Sequence, residues 1–350
     1  MQGKKLFSMP GGGLIALLQD QLSAVVTRHL QMQKHAEILW NHTVLGLGQD
    51  ADHAWVDVDT PQGKQRLEAQ YIVGCDGASS TVRRELLGRE AMPGFTWDKQ
   101  LVAADVRHDL LDAFPDAEDS NVFLDSENAW LMFRPSKQDD LHWRIIYRDV
   151  DGLDETEYIS RAPGKLQGLL PGRPSLAQID IMRVRSYKIH QRLVETMRKG
   201  RFLLAGDAAH LCCPATVNLR GALGLNGAVA DVGSLFDCLM AIHEGKATDD
   251  ILDVYSDVRR EKFNTIINPQ SQSTMRTIFS DPKDIVPNHP MYKFSQLLQT
   301  NPELAKKNAP DPLALRYDFS IHFSHAQSMQ QTGVADSSEG FDDIPTKEAL

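Results

Sequence analysis

The stretch GRFLLAGDAAHLCCPATVNLRGALGLNGAVADVGSLFDCLMAI, residues 200–242, decides the reading of this chain. Its start, Arg201 to Ala205, is a short apolar run that ends on Gly206 and Asp207. A run of this length bounded by glycine suits a strand covered on both faces. Asp207 then stands at the carboxyl end of the strand, where open α/β sheets take their ligands. Gly221, Gly224, Leu225, Asn226 and Gly227 lead into a helix. Val229, Val232, Leu235, Phe236, Leu239 and Ile242 recur at helical spacing and predict its buried face. Small residues at the helix start leave backbone N–H groups exposed, and those groups with the helix dipole favour an electron-rich ligand group. A carboxylate at a strand end followed by a bare helix N-terminus makes a bipartite site. The carboxylate accepts from sugar hydroxyls, and the helix end stabilises a carbonyl or an anion. The competing reading makes Asp207 a cap for the turn Ala208–His210, since aspartate is a preferred N-cap.

A second stretch, YIVGCDGASSTVRR at 71–84, has a related form. Tyr71–Val73 is a short apolar strand, and Gly74–Gly77 turns the chain at its end. Asp-Gly is turn chemistry anywhere. Ser79 or Ser80 would cap the helix carrying Val82, Leu86 and Leu87.

Composition bounds the function. A chain of 350 residues is long enough for two lobes. Thirty-seven basic against 47 acidic residues give a formal charge of −10, which disfavours nucleic acid or an anionic membrane as partner. Four scattered cysteines make no disulfide framework, the N-terminus carries no apolar signal core, and no window approaches the length of a membrane span. A cytoplasmic protein is expected. No G-x-S-x-G, P-loop or H-E-x-x-H is present, and His210 with Cys212 and Cys213 is the only tight group of metal-binding types. A buried thiol pair explains that group better than zinc. The chemistry therefore falls to a cofactor.

Along the chain, Leu14 to Leu30 has an amphipathic helical pattern. Gly11–Ala16 matches G-x-G-x-x-A, yet Pro10 precedes it, the strand candidate before it is weak, and Glu37 is misplaced for a ribose contact. It reads as a plain loop opening a helix. Ala36–Leu47 and Ala54–Val58 read as strands of a meander. A turn at 60–63 and the polar run Lys64–Arg66 then lead to a strand over Ala69–Gly74. From Phe95 to Tyr187, strands are expected at Leu101–Val106, Asn121–Leu124, Trp130–Arg134, His142–Tyr147 and Ile179–Val184. Glu155–Leu170 reads as a helix interrupted by Pro163 and Gly164. Trp130, Arg134, His142, Arg144 and Tyr147 are candidates to face a substrate, although a strand exposes every second residue and most are expected in ordinary packing. Asp249–Ile267 reads as a helix closed by Asn268-Pro269, and Met291–Leu298 as a short one.

The two stretches, in this order and at this separation, resemble the flavin-binding motifs of the FAD-dependent aromatic hydroxylases. These are the single-component flavoprotein monooxygenases with the p-hydroxybenzoate hydroxylase fold, and the likeness is nearest to fungal phenol and polyketide hydroxylases. It runs from Ser8 to Phe279 and includes Val254–Glu261. The fold implied is α/β, mixed with α+β: an FAD-binding lobe from 1–94 and 191–280, an inserted and mostly antiparallel substrate domain at 95–190, and a C-terminal extension at 281–350 with a loose tail from about 327. The resemblance implies cofactor contacts at Asp76, Gly77, Arg83, Gly206, Asp207, Pro214, Gly221, Gly224, Leu225 and Asn226, and no catalytic residue is assigned. It implies FAD, NADPH or NADH as reductant, O2, and a small phenolic or polyketide-derived aromatic substrate, with a homodimer left open.

Three departures accompany the likeness. The family opens with a βαβ unit whose glycine loop holds the FAD pyrophosphate, and this sequence is expected to start after it. Gly11–Gly13 stand where the family places an arginine. The loop from Pro214 to Gly221 is longer than the family's. The alternative is thus a non-catalytic remnant that retains no flavin.

Overall fold

A computed structural model describes residues 19–288 apart from 116, 118, 136–138 and 214–222, followed by 293–294, 296–297, 300–301, 303–304, 311 and 313–323. The expected sites at Pro214 and Gly221, the Gly11–Gly13 region, half of the helix expected over 291–298 and the tail from 327 lie outside the described residues.

Three sheets organise the described residues. The first is the antiparallel meander β1 (Thr43–Gln49), β2 (Ala54–Thr60) and β3 (Gly63–Ala69). The strand expected over 36–47 starts only at Thr43, because Asn41 takes a left-handed turn (φ 60°) just before it. The polar run after Gly63 is itself a strand. All seven residues of β3 are exposed, and its Arg66 pairs with Asp57 across the ladder at 2.8 Å. A ladder open to water on both faces needs no apolar alternation, which is why the pattern concealed it.

The second sheet joins the stretches 71–84 and 200–242. β4 (Ile72–Gly74) lies parallel to β11 (Phe202–Leu204), with Ile72, Val73 and Gly74 opposite Phe202, Leu203 and Leu204, and β10 (Arg198–Lys199) closes the far side. β11 is fully buried, as its apolar run predicts. Behind it lies a core of Val82 and Leu86 from α2 (Thr81–Leu87), Leu235, Cys238 and Ala241 from α5 (Leu223–His243), and Leu252, Tyr255 and Val258 from α6 (Ile251–Lys262).

The third sheet has six antiparallel strands in the order β12-β9-β5-β8-β7-β6. They are β5 (Gly94–Arg107), β6 (Ser120–Phe123), β7 (Trp130–Phe133), β8 (His142–Asp149), β9 (Asp180–Leu193) and β12 (His210–Leu211). β9 is much longer than the expected 179–184, and through β12 the sheet reaches the turn after β11. One face packs on α4 (Glu155–Leu169) through Val102, Ala104, Trp143, Ile145, Tyr147, Tyr158, Ala162 and Leu166. Pro163 does not interrupt α4: an Asp154–Glu157 capping box and that buried stripe outweigh the one lost backbone bond. Likewise Asn268-Pro269 does not end the helix after α6. A single π-turn at 263–267 joins α6 to α7 (Asn268–Ile278), with the proline in the first turn, where its missing N–H costs nothing.

Two helices depart from their predicted faces. α1 (Gln19–Gln31) buries none of its residues. On α5, Leu235 of the predicted face is buried and Leu239 and Ile242 pack against the core, but Val229, Val232 and Phe236 are exposed beside Leu225, and the buried face carries Leu223, Gly227, Asp231, Ser234, Leu235, Cys238 and Ala241. Small residues let α5 approach the turn after β11 closely, so this face, not the greasier one, is turned inward. By length and composition α5 is also able to cross a membrane, against the expectation that no such window exists. Here its inner face packs in the core of the β4–β11 lobe.

Close packing at the parallel pair generates a test. A Cβ on Gly74 would come within 2.8 Å of Val82 and 2.9 Å of Leu204. Gly74→Ala is expected to lower stability by about 1–3 kcal/mol, the usual penalty of overpacking, read as a lower urea midpoint at unchanged slope.

Candidate cofactor site

Parallel pairing of β4 and β11 brings the 71–84 turn and the 206–207 turn to the same edge, though about 130 positions separate them. The first turn is held from within. Gly77 takes a positive φ of 80°, Ser80 caps α2 by accepting from the Arg83 N–H at 2.9 Å, and the Asp76 carboxylate accepts from Thr81 N (2.7 Å), Val82 N (3.0 Å) and the Ser80 hydroxyl. Ser80, rather than Ser79, is therefore the cap. Asp76 is exposed, but its oxygens already serve the N-terminus of its own helix.

Arg83 joins the two turns. Its buried guanidinium donates to Ala78 O at 2.7 Å in the first turn and to Ala208 O at 2.9 Å in the second. Burial pulls its pKa down, and Asp76 opposes that. A side chain so engaged aligns the motifs with each other.

The second turn is different. Gly206 adopts φ 60°, and Ala209 N–H donates to Gly206 O at 2.8 Å to close a single 3₁₀ turn. Gly206, Ala208, Ala209 and His210 are buried, whereas Asp207 between them is exposed. Its side chain makes no capping bond, and it forms no hydrogen bond or ion pair with any described residue. The cap reading thus does not describe it. A Cβ on Gly206 would lie 3.3 Å from Ala228, so the turn sits against the first turns of α5. Gly224 lies behind Cys212 (3.7 Å from its Sγ to the position of a Cβ), and Leu225 and Asn226 are exposed at the start of α5. A free carboxylate, a left-handed glycine and the first turns of a long helix thus converge. This donor and acceptor set fits a ligand with sugar hydroxyls and an electron-rich ring edge. Beside the first turn, a groove of about 520 Å³ opens along β4, lined by Thr43, Ile72, Val73, Cys75, Asp76 and Thr81.

Behind the second turn lies a buried ionic cluster that sequence reading missed. Asp231 on α5 accepts from Gly206 N (2.9 Å), His210 Nε2 (2.7 Å) and Arg259 Nε (2.7 Å). Burial would push its carboxyl up, but the bonds and charges of His210 and Arg259 prevail and hold it below the ordinary aspartate value of 3.8. The signal was present: an acid four residues after Gly227, one turn along the small-residue face of a largely apolar helix. His210, considered only as a metal ligand, is engaged here instead. Of the cysteines beside it, Cys213 is buried and Cys212 half-buried, and burial pushes the Cys212 thiol up to about 12.

The candidates on the large sheet sit in packing or ion pairs, and the Tyr147 hydroxyl and His142 Nε2 are buried with no hydrogen-bond partner among the described residues. Trp130 stacks on Phe123 (3.9 Å, 3°) and Tyr147 is buried against α4. Arg134 pairs with Asp119 and Asp140, and Arg144 is bidentate to Asp105 with His142 alongside. On the other face, Leu101, Leu131, Ile146, Tyr187, Met275 and Phe279 enclose a small apolar cavity that reaches Cys213.

Two glycine-bearing turns at one parallel sheet edge, with an antiparallel sheet largely between them in sequence, are the arrangement expected of a flavin-binding protein. Residues 10–268 match the family model described as FAD binding domain, and the chain belongs to that family. It is 33% identical over 282 residues to para-nitrophenol 4-monooxygenase of Pseudomonas sp. (strain WBC-3), covering 80% of this chain and 67% of that protein. It is 28% identical over 262 residues to 6-hydroxy-3-succinoylpyridine 3-monooxygenase HspB of Pseudomonas putida (strain DSM 28022 / S16), covering 75% and 63% respectively. The crystal structure of p-nitrophenol 4-monooxygenase PnpA from Pseudomonas putida DLL-E4 matches with a TM-score of 0.73 at 31% identity, over 83% of this chain and 72% of that one. The mixed α/β fold expected from the motifs is therefore the fold of an aromatic hydroxylase. All three proteins come from Pseudomonas, so the fungal type read from the motifs is not carried by them. The chain spans about two thirds of the length of the two curated relatives.

The bridge between the turns is testable without any ligand. Arg83→Met removes two charge-assisted bonds and should cost roughly 3 kcal/mol. Arg84→Met, one residue on and half-exposed, should stay within about 0.5 kcal/mol, as surface changes do. Equilibrium unfolding of the two variants checks both.

Proposed function

We propose that this chain holds FAD across the Gly206–Asp207 turn and the start of α5, and serves the hydroxylation of a small phenolic aromatic with NAD(P)H and O2. The observation that carries the reading is Asp207. In a turn whose neighbours are buried, it presents a carboxylate that no described residue uses. Such a group is suited to accept from hydroxyls of the cofactor's sugar portion, and Gly206 keeps side-chain bulk away from the approach. Leu225 and Asn226 stand at the α5 terminus, whose N–H groups and dipole would stabilise negative charge on the flavin ring edge. Asp76, Gly77 and Arg83 keep the neighbouring turn in place beside the groove along β4. Pro214, Gly221 and Gly224 belong to or adjoin the loop that would lie against the ring. Bound FAD would take electrons from the nicotinamide and activate oxygen, the chemistry this chain's own side chains do not supply.

The remaining task of the protein is to keep water out and the substrate in register. The apolar cavity beside Cys213, between β5, β7, β8, β9 and α7, supports a small aromatic as substrate: no charged side chain among the described residues lines it. It measures about 20 Å³ in this state, so Met275 and Phe279 would have to swing aside to admit a ring. Cytoplasmic location and a homodimer belong to the same proposal.

The test is a visible absorption spectrum after FAD is added and the excess removed. Retained flavin absorbance, and phenol-dependent oxidation of NADPH, are the expected results. Asp207→Ala should weaken FAD binding about 10- to 100-fold, the equivalent of one charge-assisted hydrogen bond. A protein that folds but keeps no flavin would overturn the reading and favour a non-catalytic role.

A further inference from the structure

The buried cluster behind the Gly206 turn does more than fill the core. Asp231, His210 and Arg259 are 0%, 2% and 1% exposed, and each belongs to a different element. Asp231 Oδ2 accepts from both Gly206 N–H and His210 Nε2, while Oδ1 accepts from Arg259 Nε. An ionised carboxylate can only accept, so His210 carries a proton on Nε2. Arg259 then spreads the contact outward, donating from Nη1 to Leu315 O at 2.7 Å and from Nη2 to Gly227 O at 3.4 Å. The His210 ring packs on Phe263 with centroids 5.2 Å apart, and a Cβ on Gly227 would lie 3.3 Å from that ring. One carboxylate thereby ties together β12, the turn after β11, the first turns of α5, and α6.

We propose that Asp231 is a positioning residue that aims the Asp207 carboxylate at the cofactor, with His210 and Arg259 as its supports. This inference rests on the reading of Asp207 as the sugar-hydroxyl acceptor. Gly206 sits in the left-handed region, where glycine has no steric preference to hold it. Its peptide N–H points into the core and is claimed by Asp231. With that peptide held, the left-handed φ of Gly206 and the bond from Ala209 N–H to Gly206 O, which fixes the following peptide, turn Asp207 outward. Without the carboxylate, the Gly206 N–H would be buried and unpaired, and the turn would relax to satisfy it. A buried ionic cluster is not needed for stability as such, because apolar replacements often do as well. Its distinctive contribution is a fixed direction. Through Gly227 the same cluster sets α5, so the two halves of the proposed site move as one.

The experiment combines amide hydrogen exchange with FAD titration. In the cofactor-free protein, Asp231→Asn should raise exchange of the Gly206 and Ala209 amides at least 10-fold and leave the amides of β5 and β8 unchanged. In FAD titrations, Asp231→Asn and Asp207→Ala should each raise Kd at least 10-fold. The double variant should be no worse than Asp207→Ala alone, since one residue acts through the other. Should Asp231→Asn fail to fold, His210→Ala and His210→Gln replace it: the alanine should loosen the turn, and the glutamine amide, still a donor, should restore it. Unchanged turn exchange, or losses of affinity that simply add, would overturn the inference. If the wild-type chain binds no FAD, the cofactor reading fails, yet the exchange arm still judges whether Asp231 holds the turn.

Discussion

Parallel pairing of β4 with β11 is the constraint on which this structure depends. Each is only three residues long, and neither would be a stable strand alone. Their pairing requires everything between them, more than a hundred residues, to leave and return on one side. That excursion carries α2, five of the six strands of the large sheet and α4, which builds a core of its own on one face of that sheet. Backbone bonds extend the pairing past the strands: Ile72 N–H donates to Arg201 O and Ala205 N–H to Gly74 O. Tyr255 adds a hydroxyl bond to Leu204 O from α6 at 2.8 Å. The register so fixed puts Gly74 opposite Leu204, and both motif turns then begin at the same level.

Much of this was legible in the sequence, and the failures have identifiable causes. Strand β11, the two turns and the meander followed from apolar runs and glycine placement, because burial on both faces and left-handed turns restrict residue types strongly. β3 was hidden because an exposed ladder imposes no apolar pattern. Pro163 and Pro269 were read as breaks, but a capped and half-buried helix tolerates the first, and the second falls where a helix begins. On α5 the failure is more instructive. Periodicity located a helix and an apolar stripe, but stripe and buried face differ: Val229, Val232 and Phe236 are exposed while Gly227, Asp231 and Ser234 are buried. Hydrophobicity ranks faces by transfer free energy, whereas this interface is decided by how closely a backbone can approach and by one ionic bond.

The same distinction separates motif residues that build the site from those that offer themselves to a ligand. Chemical type does not make it, since Asp76, Asp207 and Asp231 are all aspartates close to the two turns. What separates them is prior engagement. Asp76 is consumed by the N-terminus of α2, and Asp231 by Gly206, His210 and Arg259. Asp207 alone of the three retains its full accepting capacity in the described structure, and it does so at a strand end beside a helix start. A buried carboxylate must be satisfied internally or be neutralised, while an exposed one can wait for its partner. On the proposed function, Asp207 acts through the bond it has not yet made, while the two engaged aspartates hold the turns on either side of it.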